Sequence, residues 1–361
     1  MNETMLLEAL HEELGARYGS VSGRQAPRNY GDPAAEYESV RRSAGLVDRV
    51  DRVALRVYGR DPLKMIQGLI TNDLAGAPEG QGVYAAFLTP KGKMVADARV
   101  FRRSGGELLM DVDAAAMDGL LAHLKKYLPP LFARVELLDP GLHVLGVYGP
   151  ESRDVLSRAL GAEIPAGLAE EAHVSITFGD VEVLVARTAY VGEEGYDVFV
   201  PDDAAADVWR AIQAAGARPV GHGALEVLRI EAGVPRWGAE LDESVIPLEA
   251  GLRERAISTT KGCYTGQEVI IRILHRGHVN RHLRGLLLGE EPAPAPGTEL
   301  FLAETGKAVG RITSSCASPL YGQTIALGYV RREVQPPAVV RLGSAEGPEV
   351  KVFELPIPIG A

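Results

Sequence analysis

Residues 258–277 read Ser-Thr-Thr-Lys-Gly-Cys-Tyr-Thr-Gly-Gln-Glu-Val-Ile-Ile-Arg-Ile-Leu-His-Arg-Gly. Thr265-Gly266-Gln267-Glu268 has the spacing of a capping box, in which a threonine hydroxyl accepts the amide of the glutamate and the glutamate reaches back. The apolar run Val269 to Leu274 then continues as a helix. Cys263 would stand just ahead of that helix, where the positive end of the dipole favours a thiolate. Lys261 adds to the same pull, as do Arg272, His275 or Arg276 if the chain folds back. Such a sulfur can act as a nucleophile, a redox contact or a transient metal-cluster ligand. The plainer alternative is a free cysteine packed as a small hydrophobe, and local physics leaves both readings open.

Downstream, Arg272, His275, Arg276, His278, Arg281, His282 and Arg284 form a basic run. It suits a polyanionic tail or an RNA backbone, or else is a solvated face beside a domain boundary. Other chemistry is missing from the sequence. It has no phosphate-binding G-x-x-x-x-G-K-[ST] loop, no G-x-G-x-x-G dinucleotide turn, no H-E-x-x-H and no C-x-x-C. Asp111 with Asp113 is too little for a metal site, so no metal is expected.

The elements that must position these groups alternate along the chain. Val53–Gly59 has strand periodicity, and 61–70 reads as a helix with Asp61 as N-cap and Pro62 in its first turn. Strands are expected at 82–89, 94–103, 107–114, 133–139, 143–149, 181–190 and 196–200, and helices at 115–128, 151–160 and 202–216. From Glu299 onward only short strands and turns follow, the pattern of a small antiparallel barrel or sandwich. The Pro/Ala stretch 290–297 marks an extended connection. Interleaved strands and helices make the class α+β or α/β.

The chain has 361 residues, enough for two or three domains, and 46% hydrophobic residues, enough for a real core. Its formal net charge of −10 argues against a general nucleic-acid coat, because duplex affinity comes from neutralising phosphates. Two cysteines make neither a disulfide framework nor a zinc pattern. The N-terminus, with Glu3 where a signal peptide wants positive charge, reads as an amphipathic helix, and no stretch reaches the ~20 apolar residues of a membrane span. A cytoplasmic protein without membrane or direct nucleic-acid contact is the expectation.

Lys-Gly-Cys-Tyr-Thr-Gly-Gln-Glu at 261–268 resembles the signature of the folate-binding YgfZ family, relatives of the glycine-cleavage T-protein (aminomethyltransferase). The similarity extends to 228–252, built around Leu-Arg-Ile-Glu-Ala-Gly and Pro-Leu-Glu-Ala-Gly, and to 187–200, 68–73, 82–102 and 310–330. It implies a three-domain clover-leaf with two discontinuous mixed α/β domains, 1–52 plus 140–244 and 53–139 plus 245–284. A C-terminal antiparallel β-barrel at 285–361 completes it.

The same resemblance implies tetrahydrofolate, or a substituted folate, in a channel between the domains. Glu193 matches a glutamate that accepts the pterin N–H groups. Tyr84 and Trp237 match aromatic walls, with Tyr190 beside Glu193, and Arg229 matches an arginine near the cofactor. Lys261 belongs to the Cys263 signature. Asp97 matches the second acid of an Asp-Asp pair implicated in aminomethyl transfer, the first being Ala96 here. Whether its strand face meets channel or solvent is open.

The expected function is that of a folate-binding accessory protein for iron–sulfur cluster assembly or repair, acting on tRNA modification through iron–sulfur enzymes. Cys263 would be its essential group, and iron–sulfur proteins or their assembly factors its partners. The alternative is an aminomethyltransferase that moves a one-carbon unit from an aminomethyl-lipoyl carrier to tetrahydrofolate with release of ammonia, with Asp97 assisting.

Overall fold

Asp61 accepts the amide of Lys64 through its side chain and Pro62 fills the first turn, so a helix, Pro62–Gln67, begins where those two residues favour one. In the computed structural model, which describes residues 7–360, similar local signals build two sheets and a barrel. Part of the expected N-terminal helix lies outside the described residues. The remainder, Glu8–Glu13, buries Leu10.

The larger sheet has six strands in the order 173–178, 181–188, 195–201, 142–148, 45–48 and 218–219. The chain leaves it after Asp48 and returns at Leu142. Between those points it builds a five-stranded sheet in the order 82–88, 94–102, 108–113, 52–58 and 134–137. One face of the larger sheet packs Val155, Leu156, Trp209 and Ile212 of the helices Ser152–Leu160 and Ala205–Ala214. One face of the smaller sheet packs Leu120 and Leu124 of Met117–Tyr127. The opposite faces meet each other through Ala54, Phe101 and Leu109 against Val144, Leu184 and Phe199, with the Phe101 and Phe199 rings 5.6 Å apart. Two sheets therefore bring alternate residues of unrelated segments together.

The last six strands, 281–289, 299–301, 308–318, 323–331, 338–342 and 349–353, close into an antiparallel barrel, as the strand-and-turn texture suggested. It docks on the helix His222–Glu231, where Ser314 Oγ and Ser318 Oγ bond Arg229 and Glu231 respectively. Cys316, buried on the 308–318 strand, has its thiol pushed up to about 12 by burial. Among the described residues no helix is long and apolar enough to cross a membrane.

A buried acid pins the first helix to the larger sheet. Asp48 bonds His11 Nε2 and His143 Nε2, each at 2.7 Å, and His11 Nδ1 meets the Tyr30 hydroxyl at 2.9 Å. Burial works against a charged His143 ring, but Asp48 outweighs it and raises the histidine above its ordinary value. A raised folded value means stability that is present below about pH 6.5 and lost as pH climbs through the folded value. Denaturant midpoints should therefore fall on the alkaline side for the native chain, and His143→Gln should flatten that fall.

Candidate active site

Strand alternation puts Ala96, Ala98 and Val100 into the core of the smaller sheet and turns Asp97, Arg99 and Phe101 toward the larger one. A narrow polar cavity opens where the facing sheets part. The strand Met94–Arg102 contributes Asp97 and Arg99, and Tyr84 comes from Gly82–Leu88. Arg52, Asp113 and Asp197 enter from three further strands, Arg49, Tyr190 and Arg255 from connecting segments and a short helix, and the 234–237 segment closes one wall with Trp237. Asp97 thus faces the cavity.

Its two oxygens differ. Asp97 Oδ2 accepts the Tyr84 hydroxyl at 3.0 Å, whereas Oδ1 is buried with no hydrogen-bond partner among the described residues. A buried acceptor left unmade costs roughly 1–3 kcal/mol, so this oxygen points to a ligand donor. The Arg255 guanidinium lies 4.5 Å over the Tyr84 ring and holds it from the other side. Tyr190 is covered in the same way by Arg49 at 4.4 Å, and burial pushes its phenol up to about 12.

Five arginines and three aspartates line the cavity, an excess of positive charge inside an acidic chain. They are held by a lattice of buried pairs. Asp111 takes both Arg52 Nε and Nη2 at 2.9 Å and Arg99 Nε at 2.6 Å. Arg99 Nη2 lies 2.5 Å from Asp197 Oδ2, and Tyr148 donates to Asp197 Oδ1 at 2.5 Å. Burial alone would raise the Asp111 carboxyl, but Arg52 and Arg99 hold it below the usual range. Asp113 has less compensation, and burial pushes it up to about 6. Among the described residues no group of three or more His, Cys, Asp and Glu could hold a metal.

Of the residues singled out in the sequence, Asp97, Tyr84, Tyr190 and Trp237 meet in this cavity, and the other four lie outside its lining. Arg229 is fully buried and spent on Glu226, Glu240, Ser314 and the Val234 carbonyl. Glu193 accepts from Arg41 at 2.8 Å, and the other end of Arg41 meets Glu231. Lys261 donates all three ammonium hydrogens, to the carbonyls of Gln67 and Ile70 at 2.7 Å and of Asn72 at 2.8 Å, and burial brings it down to about 8.

Cys263 is exposed and is not among the residues that line the cavity. The expected capping box is also corrected. The helix is Gln267–Arg276, its N-cap is Gly266 at φ 84°, and no side chain caps it. A Cβ at Gly266 would come within 2.6 Å of the Thr89 carbonyl, so close approach to the hairpin sets the start of the helix. Within the basic run, Arg281 and Arg284 are bonded to Glu249 and Glu354, while Arg272, His275, Arg276 and His278 are exposed.

Sequence reasoning missed Arg52, Arg99, Asp113, Asp197 and Arg255. The available signal was charge at period two inside apolar strands, as in Val-Ala-Asp-Ala-Arg-Val-Phe and Met-Asp-Val-Asp, which marks a polar face that cannot be solvent when both neighbours are core.

The GCVT N-terminal domain matches residues 7–261, and the glycine cleavage T-protein C-terminal barrel domain matches 281–352. The chain belongs to the glycine-cleavage T-protein family. An aminomethyltransferase of Rubrobacter xylanophilus is 33% identical over 350 residues, covering 96% of this chain and 90% of its own, and one of Bacillus subtilis is 29% identical, covering 90% of each. The glycine cleavage system aminomethyltransferase T of Bartonella henselae has the same fold, with a TM-score of 0.89 over 99% of this chain and 98% of that one at 23% identity. These T-protein relatives overturn the iron–sulfur accessory reading. The YgfZ-like wording around Cys263 is a local likeness, whereas the likeness to aminomethyltransferases runs through the whole chain. The iron–sulfur partners and the effect on tRNA modification fall with it.

Proposed function

We propose that this chain is an aminomethyltransferase in which tetrahydrofolate accepts the methylene group of an aminomethyl-lipoyl carrier protein and ammonia leaves. One observation carries the reading for the site: Asp97 Oδ1, buried in the cavity without a partner while Tyr84 fixes Oδ2. Full-length similarity to named aminomethyltransferases supports the reaction class.

The lining suits a folate. Asp97 supplies an acceptor for a ring N–H, Tyr84, Tyr190 and Trp237 supply aromatic walls, and the arginines supply donors for carboxylates. Bound folate would supply the nucleophilic nitrogens that capture the methylene carbon. In the overall exchange the carrier's C–N and C–S bonds break, two folate N–H bonds become C–N bonds, and the products are ammonium and the carrier thiol. Asp97 has two tasks within that balance: orienting the reacting N–H and holding the proton that must move toward the departing ammonia. Tyr84 keeps the carboxylate in one orientation, and Arg255 keeps Tyr84.

The test is ammonia release from an aminomethylated lipoyl carrier, with and without tetrahydrofolate. Release that depends on folate supports the reading, and none in either condition removes it. Cys263 lies outside the cavity, so Cys263→Ala should turn over within about twofold of the native chain. A loss of a hundredfold would return the thiol to the chemistry.

A further inference from the structure

Glu171 is a buried acid with no assigned task. Only 3% of it is exposed, and neither carboxyl oxygen has a hydrogen-bond partner among the described residues. Its backbone sits at φ 65°, a conformation that side chains other than glycine, asparagine or aspartate rarely adopt. Both sheets hold it there. Its amide donates to the Arg187 carbonyl at 3.1 Å, and its carbonyl accepts from Gly82 at 2.8 Å. A strained backbone presenting an unsatisfied carboxyl is costly, and the two arginines beside it are cavity residues. Arg255 Nη2 is 3.6 Å from Oε1 and Arg99 Nε is 3.9 Å from Oε2, near enough for charge but beyond a hydrogen bond.

The other charges facing Glu171 are already engaged. Arg99 is bonded to Asp111 and paired with Asp197. Glu170 takes Arg255 Nη2 at 2.5 Å. His173 is brought down to about 4 by burial, so its ring is neutral. Arg255 is the cation shared between Glu170 and Glu171 and laid over Tyr84, so it is the one whose partner a proton on Glu171 can change.

We propose that Glu171 is a positioning residue whose proton decides where the Arg255 guanidinium points. Ionised, Glu171 draws Arg255 back beside Arg99. Protonated, it releases Arg255 to an anionic group of a ligand in the cavity. One proton is taken up and no bond to carbon changes. Burial, only partly offset by Arg99 and Arg255, pushes Glu171 up to about 7, so the exchange falls near neutrality. The assignment deepens the folate reading, in which the anionic groups are the carboxylates of the folate tail.

Two readouts need no ligand. Infrared difference spectra between about pH 6 and about pH 8 should show a protonated carboxyl signal that Glu171→Gln cuts back to the share of Asp113, which titrates nearer 6, and that Glu171→Gln with Asp113→Asn removes. Crystal structures at the two pH values should show Arg255 moved away from Glu171 at the lower one. The third readout is calorimetry with tetrahydrofolate, whose own carboxyls stay ionised across this range. Binding by the native chain should be roughly tenfold tighter at the lower pH, the worth of one charge-assisted hydrogen bond. Glu171→Gln should bind tightly at both, losing the step near pH 7 and keeping only what Asp113 contributes nearer 6. Glu170→Gln should keep the step. A carboxyl signal undiminished in Glu171→Gln, or an Arg255 that stays in place, overturns the assignment. Absence of folate binding at either pH would remove the functional reading instead, leaving the two ligand-free readouts to judge Glu171.

Discussion

Replacing Asp97 with asparagine should lower turnover by roughly a hundred- to ten-thousandfold, the usual contribution of a positioned proton acceptor. Folate binding should survive. The amide keeps an oxygen that can accept the Tyr84 hydroxyl, so the residue retains its place, and it loses only the ability to hold a proton and to carry the charge that orients an N–H. Because Oδ1 already lacks a partner, exchanging it removes no existing bond, and the unfolding free energy should stay within about 1 kcal/mol of that of the native chain. Single-turnover rates separate this from a binding defect. A variant that keeps its rate but loses affinity would make Asp97 a binding residue.

The second large effect is on stability. Asp111 is fully buried and shared by Arg52 and Arg99, so Asp111→Ala leaves two buried guanidiniums short of their acceptor. Breaking a buried pair in this way costs about 3–5 kcal/mol, a large share of a domain's ordinary margin. Chemical denaturation should show it directly. The pH dependence has a definite sign. The folded value of Asp111 is depressed, so its stabilisation is present above the ordinary carboxylate value of about 3.9 and is lost as pH falls through the folded value. The variant should therefore lose less than the native chain on acidification. Replacing Arg52, Arg99 and Asp111 together by apolar residues of similar size should recover part of the loss, since the penalty comes from unpaired charge rather than from the missing pair.

Much of the architecture was legible because its signals are local. Asp61-Pro62 fixes a helix start, the run 115–128 has one apolar face, and the short strands after Glu299 lead to a closed barrel. The face on which Asp97 lies was not legible. Alternation shows that 97 and 99 share a side, and only the larger sheet, built from distant segments, makes that side a cavity. The arginine lattice was hidden for the same reason: Arg52 and Asp111 are 59 residues apart, and Arg49 and Tyr148 are 99 apart.

The expected capping box beside Cys263 failed at one residue. Thr265 and Glu268 have the letters of a capping box, but the tight approach to Thr89 puts Gly266 in the left-handed region and starts the helix after it. Nothing then draws the sulfur inward. Similarly, Lys261 read as a cation free to act on a thiol, whereas three carbonyls at the end of the 62–67 helix and the turn beyond it consume its hydrogens.

The most direct measurement follows an isotope-labelled methylene carbon, loaded as the aminomethyl group on a lipoyl carrier, by nuclear magnetic resonance during a single turnover with tetrahydrofolate. The label should pass to the folate, with one ammonium released per methylene moved, and Asp97→Asn should stall it on the carrier. A label that stays on the carrier with the native chain, or reaches folate equally fast without it, would contradict the account.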